Sequence, residues 1–283
     1  MKLGGSVDSA QEFKKPVLAE IQQQAIKFIP LRKLIYIGNN PKKCLKRLTA
    51  KMKNKKNIFV AIDTSNLNLI KKIIKDTKTN KLKIIPKFGL QFFYSKHGRK
   101  FLENFKSEFF LDVKLADISQ TALSAMDSLK DLKQLRYITV HASGGLEMLK
   151  AVTKKAKMIN KNIKVLGVTI LTSLNNKSLK EIGHTKTVDQ LVLKQAALIK
   201  KSGAAGCVCS AREAKLIRKK YKKFFIVTPG IKLPGDKSNW DQARVETPAK
   251  AFSNKVSAIV MGRSLVSSGN IKDNLKRLID HLN

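Results

Sequence analysis

Short apolar segments alternate with longer amphipathic segments along most of this chain. From residue 57 onward, eight segments rich in Val, Ile, Leu and Phe are each followed by a polar stretch long enough for a helix. Several of them are continuously apolar, which is typical of strands buried on both faces of a parallel sheet. The pattern predicts strands at residues 58–63, 82–89, 109–114, 137–141, 165–171, 206–210, 225–229 and 258–262.

This alternation predicts an α/β protein, a (β/α)8 TIM barrel with an extra N-terminal segment. Eight strand–helix units within residues 57–283 fit a fold whose typical size is ~250 residues. A doubly wound open sheet is the alternative. No Gly-x-Gly-x-x-Gly follows the first predicted strand, and the number of strands favours a closed barrel.

Residues 1–56 differ from the rest of the chain. They contain one amphipathic stretch, residues 17–31, followed by a strongly basic run up to Lys56. We interpret residues 1–56 as an N-terminal extension, either non-native or disordered or helical, and residues 57–283 as the barrel domain. Met52 lies a few residues before the first predicted strand, so one hypothesis is that translation naturally starts there.

The composition is strongly basic, with 57 Lys and Arg against 20 Asp and Glu and a formal net charge of +37. Such an excess can indicate a nucleic-acid-binding protein. The lysines are spread along the whole chain, however, and no RNA-binding aromatic motif or helix-turn-helix signature accompanies them. We therefore expect a solvated lysine surface that attracts anionic small molecules, and no nucleic-acid partner.

The cysteine content and hydropathy favour a cytoplasmic protein. Three cysteines, Cys44, Cys207 and Cys209, are too few and too unevenly spaced for a disulfide framework or a zinc site. No apolar run approaches the ~18 residues of a membrane span, and no signal peptide opens the chain. We expect a reducing cytoplasm and no membrane partner.

Three charged residues follow the third apolar segment with the spacing Asp-x-Lys-x-x-Asp, at Asp112, Lys114 and Asp117. Strand side chains alternate between faces, so Asp112 and Lys114 are expected to point the same way. Apolar strands do not normally end in three charges unless these pair or take part in chemistry. From this segment alone, a surface ion-pair cluster is the alternative interpretation.

Other predicted strands also end in polar residues, at Asp63, Lys87, His141, Thr172 and Lys232. Active sites of TIM barrels lie at the C-terminal ends of the strands, so this recurrence indicates a site there. His141 fits a catalytic base or, at least as well, a hydrogen-bonded structural histidine, and we leave it out of the chemistry. No spacing of His, Cys, Asp and Glu predicts a metal site.

The last two strand ends indicate phosphate binding. Loops after the seventh and eighth strands of such barrels commonly bind phosphate. Gly262 lets the backbone approach closely, and Arg263 can hold phosphate oxygens in a bidentate manner. The loop at residues 232–244 is long and rich in Gly, Pro, Asp and Ser, which is typical of a lid. We expect Gln242 within it to reach a phosphate; a simple surface loop is the alternative.

These segments resemble the orotidine 5′-phosphate decarboxylase family over about residues 58–280. The stretch at residues 110–118, Phe-Leu-Asp-Val-Lys-Leu-Ala-Asp-Ile, looks like the family signature. Further motifs occur in the family's order and include Ala-Ile-Asp at 61–63, Lys-Phe-Gly-Leu at 87–90, Thr-Ile-Leu-Thr-Ser at 169–173, Cys-Ser-Ala at 209–211, Thr-Pro-Gly-Ile at 228–231, Asp-Gln at 241–242 and Gly-Arg at 262–263. The pattern is most similar to the bacterial branch.

The chain departs from the family pattern at several positions. The family usually has His in place of Ala116, Pro-Asn in place of residues 119–120, Arg in place of Lys232 and Pro in place of Ser264. Ala116 is not one of the charged positions, so activity is expected to survive. Lys232 keeps the positive charge but lacks the planar fork of Arg, which weakens the expected grip on the phosphate.

The resemblance implies decarboxylation of orotidine 5′-phosphate to uridine 5′-phosphate, the last step of de novo pyrimidine biosynthesis, with no cofactor and no metal. It implies that Asp112 lies against the substrate carboxylate and that Lys114 stabilises the carbanion at C6 and then protonates it. Lys87 and Asp117 would complete an alternating array of charges. The implied substrate-binding residues are Asp63 on the ribose, Gln242, Gly262 and Arg263 on the phosphate, and Lys87, Ile118, Thr121, Thr172 and Lys232.

The resemblance also implies a homodimer in which Asp117, Ile118 and Thr121 reach the partner's site. Two alternatives remain at this point. One is a Mg²⁺-dependent sugar-phosphate decarboxylase or synthase of the same superfamily, which shares the Asp-x-Lys-x-x-Asp spacing. The other is a basic nucleic-acid-binding protein on a barrel scaffold that has lost activity.

Overall fold

The computed structural model describes residues 55–236, 245–266 and 270–283. Most of the predicted extension at residues 1–56, including Met52, lies outside these residues, and so does Gln242 in the predicted lid. The division of the chain into an extension and a barrel domain therefore stays a prediction.

Eight parallel strands form a closed barrel in which each strand pairs with the next and β8 pairs with β1. This confirms the predicted TIM-barrel fold. The strands are β1 (Asn57–Ile62), β2 (Lys83–Gly89), β3 (Phe109–Leu115), β4 (Leu135–His141), β5 (Lys164–Val168), β6 (Gly206–Val208), β7 (Phe225–Thr228) and β8 (Ala258–Met261). β5 and β6 end at Val168 and Val208, before the predicted residues 171 and 210.

Helices follow the strands and cover the outside of the barrel. They are α1 (Leu67–Asp76), α2 (Leu90–Phe93), α3 (Gly98–Asn104), α4 (Ser119–Asp127), α5 (Gly145–Ile159), α6 (Asn176–Glu181), α7 (Val188–Lys201), α8 (Ala211–Lys220), α9 (Pro248–Ser253), α10 (Arg263–Val266) and α11 (Ile271–Leu282). Within the described part of the chain, no helix is both long and apolar enough to cross a bilayer.

The local sequence explains where helices begin. At α8 the side chain of Ser210 accepts a hydrogen bond from the backbone N–H of Glu213, and the Glu213 carboxylate accepts one from the N–H of Ser210. This reciprocal capping satisfies two backbone donors that the first turn leaves without helical partners. The helix therefore starts directly after β6, at the end of the barrel where the strands terminate.

The core has two layers. Inside the barrel, large rings fill the lower interior, with Phe59 contacting both Phe110 and Tyr137 edge to face at centroid distances of 4.9 Å. A larger apolar layer lies between the strands and the helices. Because side chains of the described residues fill the lower interior, space for a ligand is found at the C-terminal end of the barrel.

The pairing of β3 with β4 is irregular at the barrel mouth. Leu111 pairs with Ile138 and Leu115 pairs with Val140, so residues 112–114 lie opposite Thr139 alone. Lys114 has a φ of 48°, in the left-handed region. Such a bulge bends a strand and redirects its side chains, and bulges are frequent next to active sites.

Candidate active site

A cavity of about 330 Å³ opens at the C-terminal ends of the strands, within the usual range of ligand pockets. One part of its wall is apolar and is formed by residues that include Ile170, Leu171, Val208 and Val260. The other part brings together the predicted residues Asp63, Lys87, Asp112, Lys114, Thr172, Lys232, Gly262 and Arg263. These residues lie far apart in sequence, and barrel closure brings them to one cavity.

The charged residues of β2 and β3 form a continuous array in the cavity. Lys87 Nζ donates to Asp112 Oδ2 at 2.9 Å, and Lys114 Nζ donates to Asp112 Oδ1 at 3.1 Å. Lys87 Nζ also lies 3.9 Å from Asp63 Oδ1. Positive and negative groups alternate, so the buried charges of Lys87 and Asp112 are compensated in place.

Asp112 is held in its ionised form. Burial raises the pKa of this carboxyl, but the charges of Lys87 and Lys114 and the hydrogen bonds from Lys87 and Thr139 outweigh burial and lower the pKa to about 2. A carboxylate that stays charged at neutral pH repels any anionic group placed beside it. The array therefore combines a fixed negative charge with an adjacent ammonium group, and an ammonium group can both stabilise an anion and donate a proton.

Lys114 reaches the cavity through the bulge rather than through regular strand alternation. A non-glycine residue in the left-handed region is strained by ~1–3 kcal/mol, and such strain persists only where its surroundings impose it. Here the backbone N–H of Lys114 donates to Thr139 Oγ1 at 2.9 Å. The sequence correctly placed Asp112 and Lys114 on the same side, but the reason is a bulge fixed by β4.

The phosphate side of the predicted site is built from the ends of β7 and β8. Lys232 and Arg263 line the cavity, with Lys232 buried. Ser264, at a position where the family usually has Pro, is also buried; its Oγ accepts a hydrogen bond from the N–H of Leu233 at 2.8 Å and donates to Asp236. The serine thus ties the two loops together beside the cationic side chains.

Three predicted residues do not line this chain's own cavity. Asp117, Ile118 and Thr121 follow β3 and are exposed, and Ile118 is 72% exposed. The expected place of Asp117 in the charge array is therefore not filled within the single chain. A residue that enters a partner's site must be exposed in the single chain, and these three residues are exposed. Their assignment to a partner's site stays a prediction. Gln242 lies outside the described residues.

His141 does not line the cavity. Its Nδ1 lies 2.7 Å from Ser143 Oγ, and the pKa of its imidazole is lowered by burial and by the charge of Lys114. A neutral, hydrogen-bonded imidazole away from the cavity fits the structural interpretation of this residue. In the described part of the chain, no group of three or more His, Cys, Asp or Glu residues is arranged to hold a metal ion.

Two residues near the charge array have no role that the sequence predicts. Thr139 contacts both Asp112 and Lys114, and Gly89 lies so close that an added Cβ would be 3.1 Å from Asp63 Oδ1. Gly89 belongs to a motif that the sequence shows, but the sequence does not show that a side chain at this position would crowd Asp63. Thr139 lies two residues before His141 on a strand and carries no charge, so only the pairing of β3 with β4 reveals it.

Comparisons with known proteins identify the family of this chain. The model of the family described as Orotidine 5′-phosphate decarboxylase / HUMPS matches residues 56–278. A protein from Sphingopyxis alaskensis named orotidine 5′-phosphate decarboxylase is 36% identical over 214 residues, covering 75% of this chain and 92% of the relative. A protein of the same name from Carboxydothermus hydrogenoformans is 36% identical over 221 residues, covering 75% and 90%.

A solved structure is also similar. The crystal structure of orotidine 5′-phosphate decarboxylase from Lactobacillus acidophilus superimposes with a TM-score of 0.68 at 28% identity, covering 81% of this chain and all of that one. The family match spans all eight strands of the barrel, and about nine tenths of each of the two named relatives is covered. The chain therefore belongs to the orotidine 5′-phosphate decarboxylase / HUMPS family.

Proposed function

We propose that this protein decarboxylates orotidine 5′-phosphate to uridine 5′-phosphate without a cofactor or a metal, as the last step of de novo pyrimidine biosynthesis. The observation that carries the proposal is the array of Lys87, Asp112 and Lys114 that lines the cavity. The relatives named above bear the name of this activity. The alternative is sugar-phosphate chemistry of the same superfamily, and the assay described below distinguishes this alternative from decarboxylation of orotidine 5′-phosphate.

The proposed chemistry requires a charged group on each side of one bond. Asp112 lies against the substrate carboxylate, and the repulsion between the two anions favours departure of CO₂. The bond between C6 and the carboxylate breaks, CO₂ leaves, and the electron pair stays on C6. Lys114 stabilises this carbanion with its ammonium charge and then transfers a proton to C6. Solvent returns a proton to Lys114 after product release.

Binding energy from the phosphate supports this step. Lys232, Gly262 and Arg263 lie at the edge of the cavity that follows β7 and β8, and we assign the phosphate to them together with Gln242. We assign the ribose to Asp63, and further substrate contacts to Lys87 and Thr172. A remote, unreacting group can drive closure of the site, and its binding energy is then expressed in the transition state.

The first test is a spectrophotometric assay with orotidine 5′-phosphate in the presence of EDTA. We expect turnover by the wild-type protein and its loss in Lys114→Ala, because the proton donor and the charge opposite the carbanion are removed. Lys215→Ala, at an exposed position on α8, is the matched control and should keep full activity. Absence of turnover by folded wild-type protein would overturn the proposal and would direct the next assay to Mg²⁺ and sugar phosphates.

We further propose a homodimer that completes each site from the partner chain. Large exposed side chains are present on the segments after β2 and β3, with Tyr94 77% exposed and Ile118 72% exposed. Neighbouring strands place these segments at the same end of the barrel. Asp117 and Thr121 lie beside Ile118 and would enter the partner's cavity, where Asp117 would extend the charge array. We place the enzyme in the cytoplasm, with no nucleic-acid or membrane partner.

Mixing two inactive variants tests shared sites. In a mixed dimer of Lys114→Ala and Asp117→Ala chains, one of the two sites has both residues intact. Random exchange should therefore restore about a quarter of wild-type turnover, because half of the dimers are mixed. Sedimentation must first establish a dimer and subunit exchange. A monomer, or no recovery after confirmed exchange, would contradict sharing of the sites while leaving the decarboxylase proposal standing.

A further inference from the structure

Thr139 lies on β4, directly beneath the charge array. Its Oγ1 accepts a hydrogen bond from the backbone N–H of Lys114 at 2.9 Å and donates one to Asp112 Oδ1 at 2.8 Å. We propose that Thr139 is a positioning residue that holds the Asp112 carboxylate and the Lys114 backbone in the arrangement needed for decarboxylation. The inference rests on the proposed function and adds a residue that none of the sequence motifs assigns to the reaction.

The strand register explains why this side chain is needed. Residues 112–114 lie opposite Thr139 alone, so the backbone groups of this stretch cannot all find partners in a regular ladder. The Lys114 N–H is satisfied by a side-chain oxygen instead of a backbone carbonyl. The hydroxyl therefore takes the place of a ladder bond at the point where β3 bends toward the cavity.

The two hydrogen bonds have a defined direction. Because Oγ1 accepts from Lys114 N–H, its own proton is free to point to Asp112, and each bond polarises the other. Thr139 is only 1% exposed, so bulk water cannot readily replace its hydroxyl. One side chain thus couples the position of the proposed proton donor to the position of the carboxylate that faces the substrate.

Loss of the hydroxyl would act on both partners at once. A buried N–H without an acceptor is unfavourable, so the left-handed conformation of Lys114 would lose the contact that imposes it. The Asp112 carboxylate would lose a donor that favours its charged form. Displacement of a reacting group by ~1 Å can cost up to ~100-fold in rate, whereas contacts with the distant phosphate would be unaffected.

Thr139→Val removes the hydroxyl with little change in shape, and Thr139→Ser keeps it. Thr139→Cys, whose thiol is a weak donor and acceptor, is measured beside them so that the result does not depend on the folding of one variant. Thr228→Val is the matched control: Thr228 is a fully buried strand threonine whose Oγ1 has no hydrogen-bond partner within residues 55–236, 245–266 and 270–283.

Four quantities are measured on the full chain: kcat with orotidine 5′-phosphate, the Kd of uridine 5′-phosphate, the amide hydrogen exchange rate of Lys114, and the Tm of each variant. For Thr139→Val we expect kcat to fall about tenfold or more, equivalent to at least about 1.4 kcal/mol. The Kd should stay within about twofold, and Lys114 exchange should accelerate about tenfold. The kcat and the Lys114 exchange rate of Thr139→Cys should lie between those of Thr139→Val and those of wild type. Thr139→Ser should recover most of the activity and most of the protection of the Lys114 N–H from exchange, since the hydroxyl is retained. Thr228→Val should match wild type.

Two results would overturn the inference. One is unchanged kcat together with unchanged Lys114 exchange in Thr139→Val. The other is a parallel loss of kcat, product binding and thermal stability that Thr139→Ser does not reverse, which would show a merely structural role. If the wild-type protein does not turn over orotidine 5′-phosphate, the proposed function fails by itself. Lys114 exchange in the variants then still decides whether Thr139 positions this residue.

Discussion

Replacing Asp112 by Asn removes the negative charge between Lys87 and Lys114 while leaving the side chain almost the same size. In the folded protein the pKa of Asp112 is about 2, against an ordinary value of 3.8. Burial acts against ionisation, and attraction to the two lysines outweighs it. One pKa unit corresponds to ~1.36 kcal/mol. The ionised carboxylate therefore stabilises the folded barrel by about 2 kcal/mol, and Asp112→Asn should lose that amount.

Thermal unfolding followed by circular dichroism measures this loss. For a domain of this size, 1 kcal/mol shifts Tm by ~2–4 °C, so Tm should fall by about 4–8 °C at pH 7. Because the folded pKa lies below the unfolded one, the stabilisation is fully present above ~pH 4 and is lost as the pH falls toward ~2. The Tm difference between wild type and variant should therefore be constant near neutral pH and shrink below ~pH 4.

Asp127→Asn is the matched control for this measurement. Asp127 also has two lysine partners, Lys130 at 3.6 Å and Lys155 at 2.7 Å, but its side chain is 46% exposed, against 14% for Asp112. Exposed ion pairs contribute little to stability, so this variant should shift Tm much less than Asp112→Asn. Equal shifts in the two variants would refute the reasoning, because the buried carboxylate would then contribute no more than an exposed one. A higher Tm in Asp112→Asn would also refute it, because the cost of burying the carboxylate would then exceed its attraction to the lysines.

Two further substitutions test the packing that supports the site. Ser264→Ala leaves the buried N–H of Leu233 without the hydroxyl that accepts from it at 2.8 Å. This substitution should reduce the free energy of unfolding, measured by urea denaturation, by ~1–3 kcal/mol. Ser264→Thr should keep the hydrogen bond. Gly206→Ala would place a Cβ 2.0 Å from a backbone carbonyl of β7; it should destabilise the barrel by at least ~1–3 kcal/mol, and an unchanged urea midpoint would contradict the close approach of the two strands.

The fold was largely determined by local patterns in the sequence. Continuous apolar runs identify strands buried on both faces, and the intervening amphipathic stretches identify the helices that cover them. All eight predicted strands are present in the barrel, with ends that differ by a few residues. Strand ends were less predictable because Ile170 and Leu171 remain apolar beyond the end of β5 at Val168, and the sequence does not mark that end.

The composition of the site was also visible in the sequence. Parallel strands present their C-terminal ends on one side of a barrel, so the positions of four charged residues at strand ends are enough to group them. These residues are Asp63, Lys87, Asp112 and Lys114. Charges at the ends of apolar strands are conspicuous, which makes them easy to recognise. The family motifs then supplied roles that spacing alone does not give.

Only the tertiary structure decided how these groups are held. The bulge that turns Lys114 into the left-handed region depends on the register between β3 and β4, and register is set by packing between segments that are distant in sequence. Thr139 is an uncharged residue within a strand, and its role arises from its place opposite three residues of the neighbouring strand. The identity of the charges follows from local sequence, whereas their geometry depends on long-range contacts, because a hydrogen bond between two strands is a property of the pair.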